Sequence, residues 1–342
     1  VRTLGVVIPC YRQERFLART LAALRDLPAG WRVDGVVVMA APPAHAEDSP
    51  RAGPGWQVLP APRPAARAPG GRRDERPHAP LTPGAARMAG LAACQGDWVL
   101  FVDADVETDA QWLAAALDRA AADQVPRLAG LWGRIEEWFV DGAVTRPGSA
   151  DLYRIGRSER VVGYLATLAL YRRTALLDAG GYDARLQSEE DFELGLRLRA
   201  RGWELRTLAQ VAGRHWSEPR PSLREVTRRW RTGLCFGQGQ VLRLYLGRPG
   251  FGLLLRRQSL YLATLALWAL GAAALIVALR GATAAPLVAW LVLPVALLLA
   301  LAVRKRSARL AAHSLLIWTV NGLGLLVGWF AAAPRTGREA AC

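Results

Sequence analysis

The stretch WVLFVDADVETD, residues 98–109, joins an unbroken apolar run to two aspartates one residue apart. Five consecutive apolar residues, Trp98 to Val102, suit a central strand covered on both faces. Side chains alternate along a strand, so continued extension predicts Asp103 and Asp105 on one side. Carboxylates held that close disfavour each other's ionisation. A divalent cation between or beside them would relieve the repulsion, which gives the pair a metal or phosphate role. The simpler reading has acids opening the next helix, AQWLAAAL, with Thr108 or Asp109 as its cap. It accounts for Thr108 and Asp109 and leaves Asp103 and Asp105 unexplained.

Outward from this stretch, apolar runs alternate with helical patterns. LGVVIP (4–9) precedes ERFLARTLAALRDL (14–27), VDGVVVMA (33–40) follows, and WVLFVDAD precedes AQWLAAALDRAAA (110–122). Strand, helix, strand in this order predicts an α/β domain with a mostly parallel sheet over residues 1–215. Residues 42–83 hold eleven of the 21 prolines, so they predict a long loop around the short strand WQVL.

The 342 residues suffice for one large domain and an addition to it. Net charge is +15, carried almost wholly by arginine, since Lys305 is the single lysine. Arginine bias with abundant alanine suggests GC-rich coding, so part of the basicity is compositional. The remainder suits nucleic acid or anionic lipid. No recognised nucleic-acid motif accompanies it, so nucleic acid is not an expected partner. The four cysteines lack CxxC pairs and regular spacing, against a disulfide framework or zinc site. The opening LGVVIPCY lacks signal-peptide features, and the expectation is that the first residues are structural.

Residues 216–257 turn basic and amphipathic, as in SLREVTRRWRTG, which suits a helix on a membrane surface. Beyond them lie three acid-free apolar stretches, 258–279, 286–303 and 310–333, followed by a tail, 334–342. Each is about long enough to cross a hydrocarbon core of ~30 Å. They read as a membrane anchor, with His313 and Asn321 in the last span expected to make helix–helix hydrogen bonds. RKRSAR (304–309) and Arg248, Arg256 and Arg257 are expected on the cytosolic side of the inner (plasma) membrane with the α/β domain.

A second carboxylate cluster lies in SEEDFELGLRLRARGWEL, 188–205. Helical spacing places Glu190, Asp191 and Glu193 in a first turn, where the helix dipole favours negative charge. The preceding AGGYDARL offers a glycine pair for a tight loop beside a ligand.

Together, VVIPCYRQE, GDWVLFVDADV and AGGYDARLQSEEDFELGLRLRARGWE resemble family 2 glycosyltransferases, which have the GT-A fold. Order and spacing match over about 215 residues, and a helical membrane tail is frequent in that family. The resemblance implies that Asp103 and Asp105 form the DxD motif, holding Mg²⁺ or Mn²⁺ against a nucleotide-sugar diphosphate. It implies that Asp191, paired with Glu190, takes the proton from the acceptor hydroxyl. Pro9, Tyr11 and Glu14 match the loop that holds the nucleotide base, and Arg87 in GAARMAG matches a position near the donor. His215 sits where related enzymes place a further metal-contacting histidine, with packing beside Trp216 as the alternative. The family's usual acidic turn after the second strand is replaced by Met39 and Ala40, with Glu47 or Asp48 as candidate substitutes. Met88 stands where asparagine is common. Val226 stands where the QxxRW signature of processive synthases needs glutamine, which favours transfer of a single sugar. The expected function is therefore a membrane-anchored inverting glycosyltransferase acting on a lipid-linked or cell-envelope glycan acceptor. A polyprenyl-phosphate sugar synthase and a non-catalytic membrane scaffold are the rival readings.

Overall fold

The computed structural model describes residues 1–11, 13–39, 54–62, 82–122, 125–218, 222–281 and 283–331. The chain divides into two compact units, Val1–Pro219 and Arg220–Cys342. The described part of the first unit is built on a ten-stranded sheet. Its strands are β1 (Arg2–Cys10), β2 (Trp31–Met39), β3 (Trp56–Pro60), β4 (Trp98–Val102), β5 (Val106–Thr108), β6 (Leu128–Asp141), β7 (Val144–Pro147), β8 (Arg160–Val161), β9 (Leu168–Arg172) and β10 (Glu204–Ser217). Helices α1 (Glu14–Ala22), α2 (Pro83–Ala93), α3 (Ala110–Ala122), α4 (Arg173–Asp178) and α5 (Glu190–Ala200) cover it.

The main strand order is β3-β2-β1-β4-β9-β6-β10-β5. The first four run parallel, and β9 enters antiparallel between β4 and β6. Alternation on β4 explains its unbroken apolar run. Trp98, Leu100 and Val102 join a core layer with α1 and α3, while Val99 and Phe101 face the opposite layer with α2, α4 and α5. A central strand must satisfy both layers, so no polar position is left. Order reverses between β1 and β4, and the loops leaving their C-terminal ends flank one crevice, the usual ligand site of an open α/β sheet.

Helix α2 starts at a Thr82–Pro83 cap, with the Thr82 hydroxyl accepting from Ala85 N–H at 3.1 Å. A Cβ at Gly90 would collide with Val7 of β1, so this helix lies closer to the sheet than any other residue would permit. That close approach sinks Arg87, one turn earlier, beneath the crevice.

In the second unit, α6 (Ser222–Arg231), α7 (Gly237–Leu244) and α8 (Phe251–Arg257) precede α9 (Ser259–Leu279), α10 (Ala285–Lys305) and α11 (Ala308–Phe330). The last three are long and apolar enough to cross a membrane. Gly239 and Gly328 bring α7 against α11 so closely that a Cβ at either would strike backbone. Hydrogen bonds between the long helices come from tryptophans, Trp268 Nε1 to Thr319 Oγ1 at 2.9 Å and Trp290 Nε1 to the Leu267 carbonyl at 2.8 Å. Asn321 departs from the expected helix–helix bond: its amide donates to Ile317 of its own helix at 2.9 Å. His313 Nε2 is buried without a hydrogen-bond partner.

Candidate active site

β4 ends at Val102, and Asp103 to Asp105 form a turn rather than continued extension, closed by Val106 N–H donating to the Asp103 carbonyl at 3.0 Å. The turn, not strand alternation, brings the two aspartates together. Asp109 caps α3, its carboxylate accepting from Gln111 and Trp112 N–H at 2.9 and 3.1 Å.

Three neighbouring segments hold the turn. From the loop after β1, Gln13 Nε2 donates to Asp105 Oδ2 at 2.7 Å. From β10, His215 Nε2 lies 3.5 Å from the same oxygen, because the β5–β10 pairing sets His215 opposite Val106. Trp216 N–H donates to the Asp105 carbonyl at 2.8 Å, while the Trp216 ring packs on Trp138 and its Nε1 donates to Glu107 at 2.9 Å. From the residue before β9, the Thr167 carbonyl accepts from Asp103 N–H at 3.0 Å. Thr167 adopts φ +59°, unusual for a β-branched residue and costing on the order of 1–3 kcal/mol. Asp105 is buried, and its Oδ1 has no hydrogen-bond partner. An orphaned buried carboxylate oxygen is costly unless something fills it.

The second cluster starts α5, where Glu189 at φ +68° turns the chain into the helix. Arg87 links the two clusters. Its Nη1 donates to Glu190 Oε1 at 2.6 Å and lies 3.7 Å from Asp191 Oδ1, while Nη2 donates to Asp103 Oδ1 at 3.1 Å. The guanidinium is buried over the Tyr182 ring. Among the described residues its ion pairs are all with these carboxylates, so Arg87 ties together residues the sequence reading kept apart. Met88, in place of asparagine, packs on Gly181 and accepts Tyr182 N–H at 3.2 Å through its thioether.

Electrostatics separate the carboxylates. Burial raises Asp191 to about 8, against the pull of Arg87 and helped by Glu190 and Asp103. Burial likewise raises Asp103 to about 6, against Arg87 and helped by Asp105. Burial opposes charge on His215, but Asp105 and then Asp103 outweigh it and raise the imidazole above its ordinary value. Glu193 is held by Arg197 through contacts of 2.6 and 2.5 Å, which leaves Asp191 the more available acid of this turn. Pro9 is the penultimate residue of β1, Tyr11 is exposed, and Glu14 opens α1, so these three flank the loop that carries Gln13. Glu47 and Asp48 lie outside the described residues.

Gln13, Tyr153 and Thr167 were not singled out by sequence. Gln13 lies inside the VVIPCYRQE motif, and that position was its only signal. Tyr153, whose hydroxyl bonds Thr167 Oγ1, carried none.

The family model described as Glycosyl transferase family 2 matches residues 72–178, a span that includes Arg87, Asp103 and Asp105. Pre-mycofactocin glycosyltransferase of Mycobacterium tuberculosis, in two strains, is 32% identical over 233 residues. Residues 72–178 thus match a family 2 glycosyltransferase model, and the chain is homologous to a glycosyltransferase. That alignment takes in 64% of this chain and 44% of the relative, so the chain spans under half the length of the curated proteins it matches. Among solved structures, a mannosyltransferase of Pyrobaculum calidifontis, in complex with GDP-Man and Mn²⁺, aligns with a TM-score of 0.54 at 18% identity. The alignment covers 94% of this chain and 87% of that one, and shows that the α/β sheet unit has the GT-A fold.

Proposed function

We propose that this protein is a membrane-anchored, metal-dependent, inverting glycosyltransferase that moves one sugar from a nucleotide-sugar to a hydroxyl of a lipid-linked or cell-envelope acceptor. The observation that carries this reading is the unpartnered, buried Oδ1 of Asp105, in the turn beside the β1–β4 crevice. Among the described residues, no three His, Cys, Asp or Glu side chains form a metal cage by themselves. That fits Mg²⁺-like binding, in which one or two carboxylates share the ion with substrate phosphates. Asp103 and Asp105 would hold the cation, with His215 beside them. When bound, it stabilises the charge that develops on the departing diphosphate. The solved mannosyltransferase, with its GDP-Man and Mn²⁺, supports the same donor chemistry.

Asp191 acts as the base. The acceptor oxygen attacks the anomeric carbon from the side opposite the diphosphate; the new C–O bond forms as the old one breaks, and the proton passes to Asp191. Arg87, bonded to Glu190, fixes the helix start that carries Asp191. Pro9, Tyr11 and Glu14 receive the nucleotide base. The helices α9 to α11 anchor the chain in the plasma membrane, with the basic loop Arg304 to Arg309 on the cytosolic side together with the catalytic domain.

Calorimetry of the detergent-solubilised chain with UDP- and GDP-sugars, with and without Mn²⁺, tests the proposal. At least one donor should give metal-dependent heat. Absence of such heat with every donor would instead mark a non-catalytic scaffold.

A further inference from the structure

A row of aromatic rings runs between the two carboxylate clusters. Trp132 packs on Tyr153 and Tyr164 with centroids 5.1 and 5.9 Å apart, and Tyr164 meets Phe192 edge-on at 5.4 Å. Phe192 follows Asp191 directly in α5. A Cβ at Gly195 would strike the Gly163 carbonyl and crowd Tyr164, so the helix bearing Asp191 is pressed onto the segment bearing Tyr164. At the other end, the Tyr153 hydroxyl bonds Thr167, the residue that holds Asp103. Burial raises that hydroxyl above its ordinary range, and the charges of Asp103 and Asp191 raise it further. Trp132 and Phe192 are buried and form the backing, while Tyr153 and Tyr164 stay partly exposed.

Resting on the assignment of Asp191 as the base, we propose that Tyr153 and Tyr164 seat the acceptor, and that the acceptor presents a pyranose ring to them rather than a bare lipid phosphate. A pyranose has an apolar face that packs on aromatic rings and a hydroxyl edge that suits neighbouring carboxylates. Among the described residues, a phosphate would meet Asp103, Glu190 and Asp191 with Arg87 as the cation that ion-pairs with all three, and that guanidinium is already bonded to two of them. Like charges brought together in this way disfavour binding.

Saturation-transfer NMR on the full chain with Mg²⁺ tests the seat, using methyl β-D-glucopyranoside, methyl β-D-galactopyranoside, methyl α-D-mannopyranoside and methyl phosphate as probes. At least one glycoside should bind. Tyr164→Ala should weaken it by roughly two- to tenfold, the range of one ring contact. Tyr164→Phe, which keeps the ring, should bind as wild type, and both variants should keep the metal-dependent heat of the nucleotide-sugar. Binding of no glycoside, an unchanged affinity in Tyr164→Ala, or displacement of the glycoside by methyl phosphate would overturn the proposal. Failure of the underlying functional reading shows separately, as loss of donor heat in the wild type.

Discussion

The turn at Asp103 to Asp105 and the helix start at Glu190 and Asp191 both gather carboxylates beside Arg87, yet they are finished in opposite ways. The turn leaves a buried carboxylate oxygen, Asp105 Oδ1, with nothing to bond. The helix start closes on Arg87, which donates to Glu190 at 2.6 Å and lies 3.7 Å from Asp191. One cluster is built to receive a charge from outside, and the other is already supplied with an internal one. A turn with an unbonded, buried carboxylate oxygen suits metal and diphosphate, whereas a half-neutralised acid raised toward neutrality suits proton transfer.

Removing the receiving oxygen should have the largest effect. Asp105→Ala should lower turnover by at least about a thousandfold, since a Lewis-acid cation supplies several kcal/mol at the transition state. Donor turnover on folded protein checks it, and a variant within tenfold of wild type would erase the distinction between the clusters. Removing the shared cation should act on folding. Arg87→Met leaves Glu190 buried and unpaired, so chemical denaturation should register a loss of about 3–5 kcal/mol, with Arg87→Lys recovering part of it. Equal stability of Arg87→Met and wild type would mean that the buried link is idle.

The acid–base difference gives a smaller and graded effect. With Asp191 raised to about 8, kcat/KM should climb by about tenfold per pH unit below that value and level above it. Stability should move oppositely. A raised folded-state pKa contributes stability that is complete below the ordinary carboxylate value of 3.8 and is lost as pH rises through about 8. Asp191→Asn should therefore flatten both profiles, and unchanged profiles would place the titrating group elsewhere.

The sequence made one half of this contrast easier to read than the other. Trp98 to Val102 announce a strand buried on both faces, and two acids directly after it stand out. Their partners are harder to find: His215 entered only through the family resemblance, and Gln13 reaches Asp105 from a loop with no local signature. Even the reason for their proximity was misread, since the chain turns at Asp103 instead of extending. The helix start at Glu190 was legible from apolar spacing and acids in a first turn, but its neutralisation was not. Arg87 lies 16 residues from Asp103 and 103 from Glu190, distances that only the packing of α2 on β1 closes. Tyr153 and Thr167 sit in stretches without periodicity, where a single ring or a positive φ leaves no pattern to find.

The division of labour is tested most directly by titrating a nucleotide-sugar with Mn²⁺ into Asp105→Ala and Asp191→Asn while measuring turnover on the same preparations. The account predicts that Asp105→Ala loses the metal-dependent heat and transfer together. Asp191→Asn should bind donor and metal as wild type does and turn over at least about a hundredfold more slowly. Normal turnover in Asp191→Asn, or intact metal-dependent binding in Asp105→Ala, would contradict it.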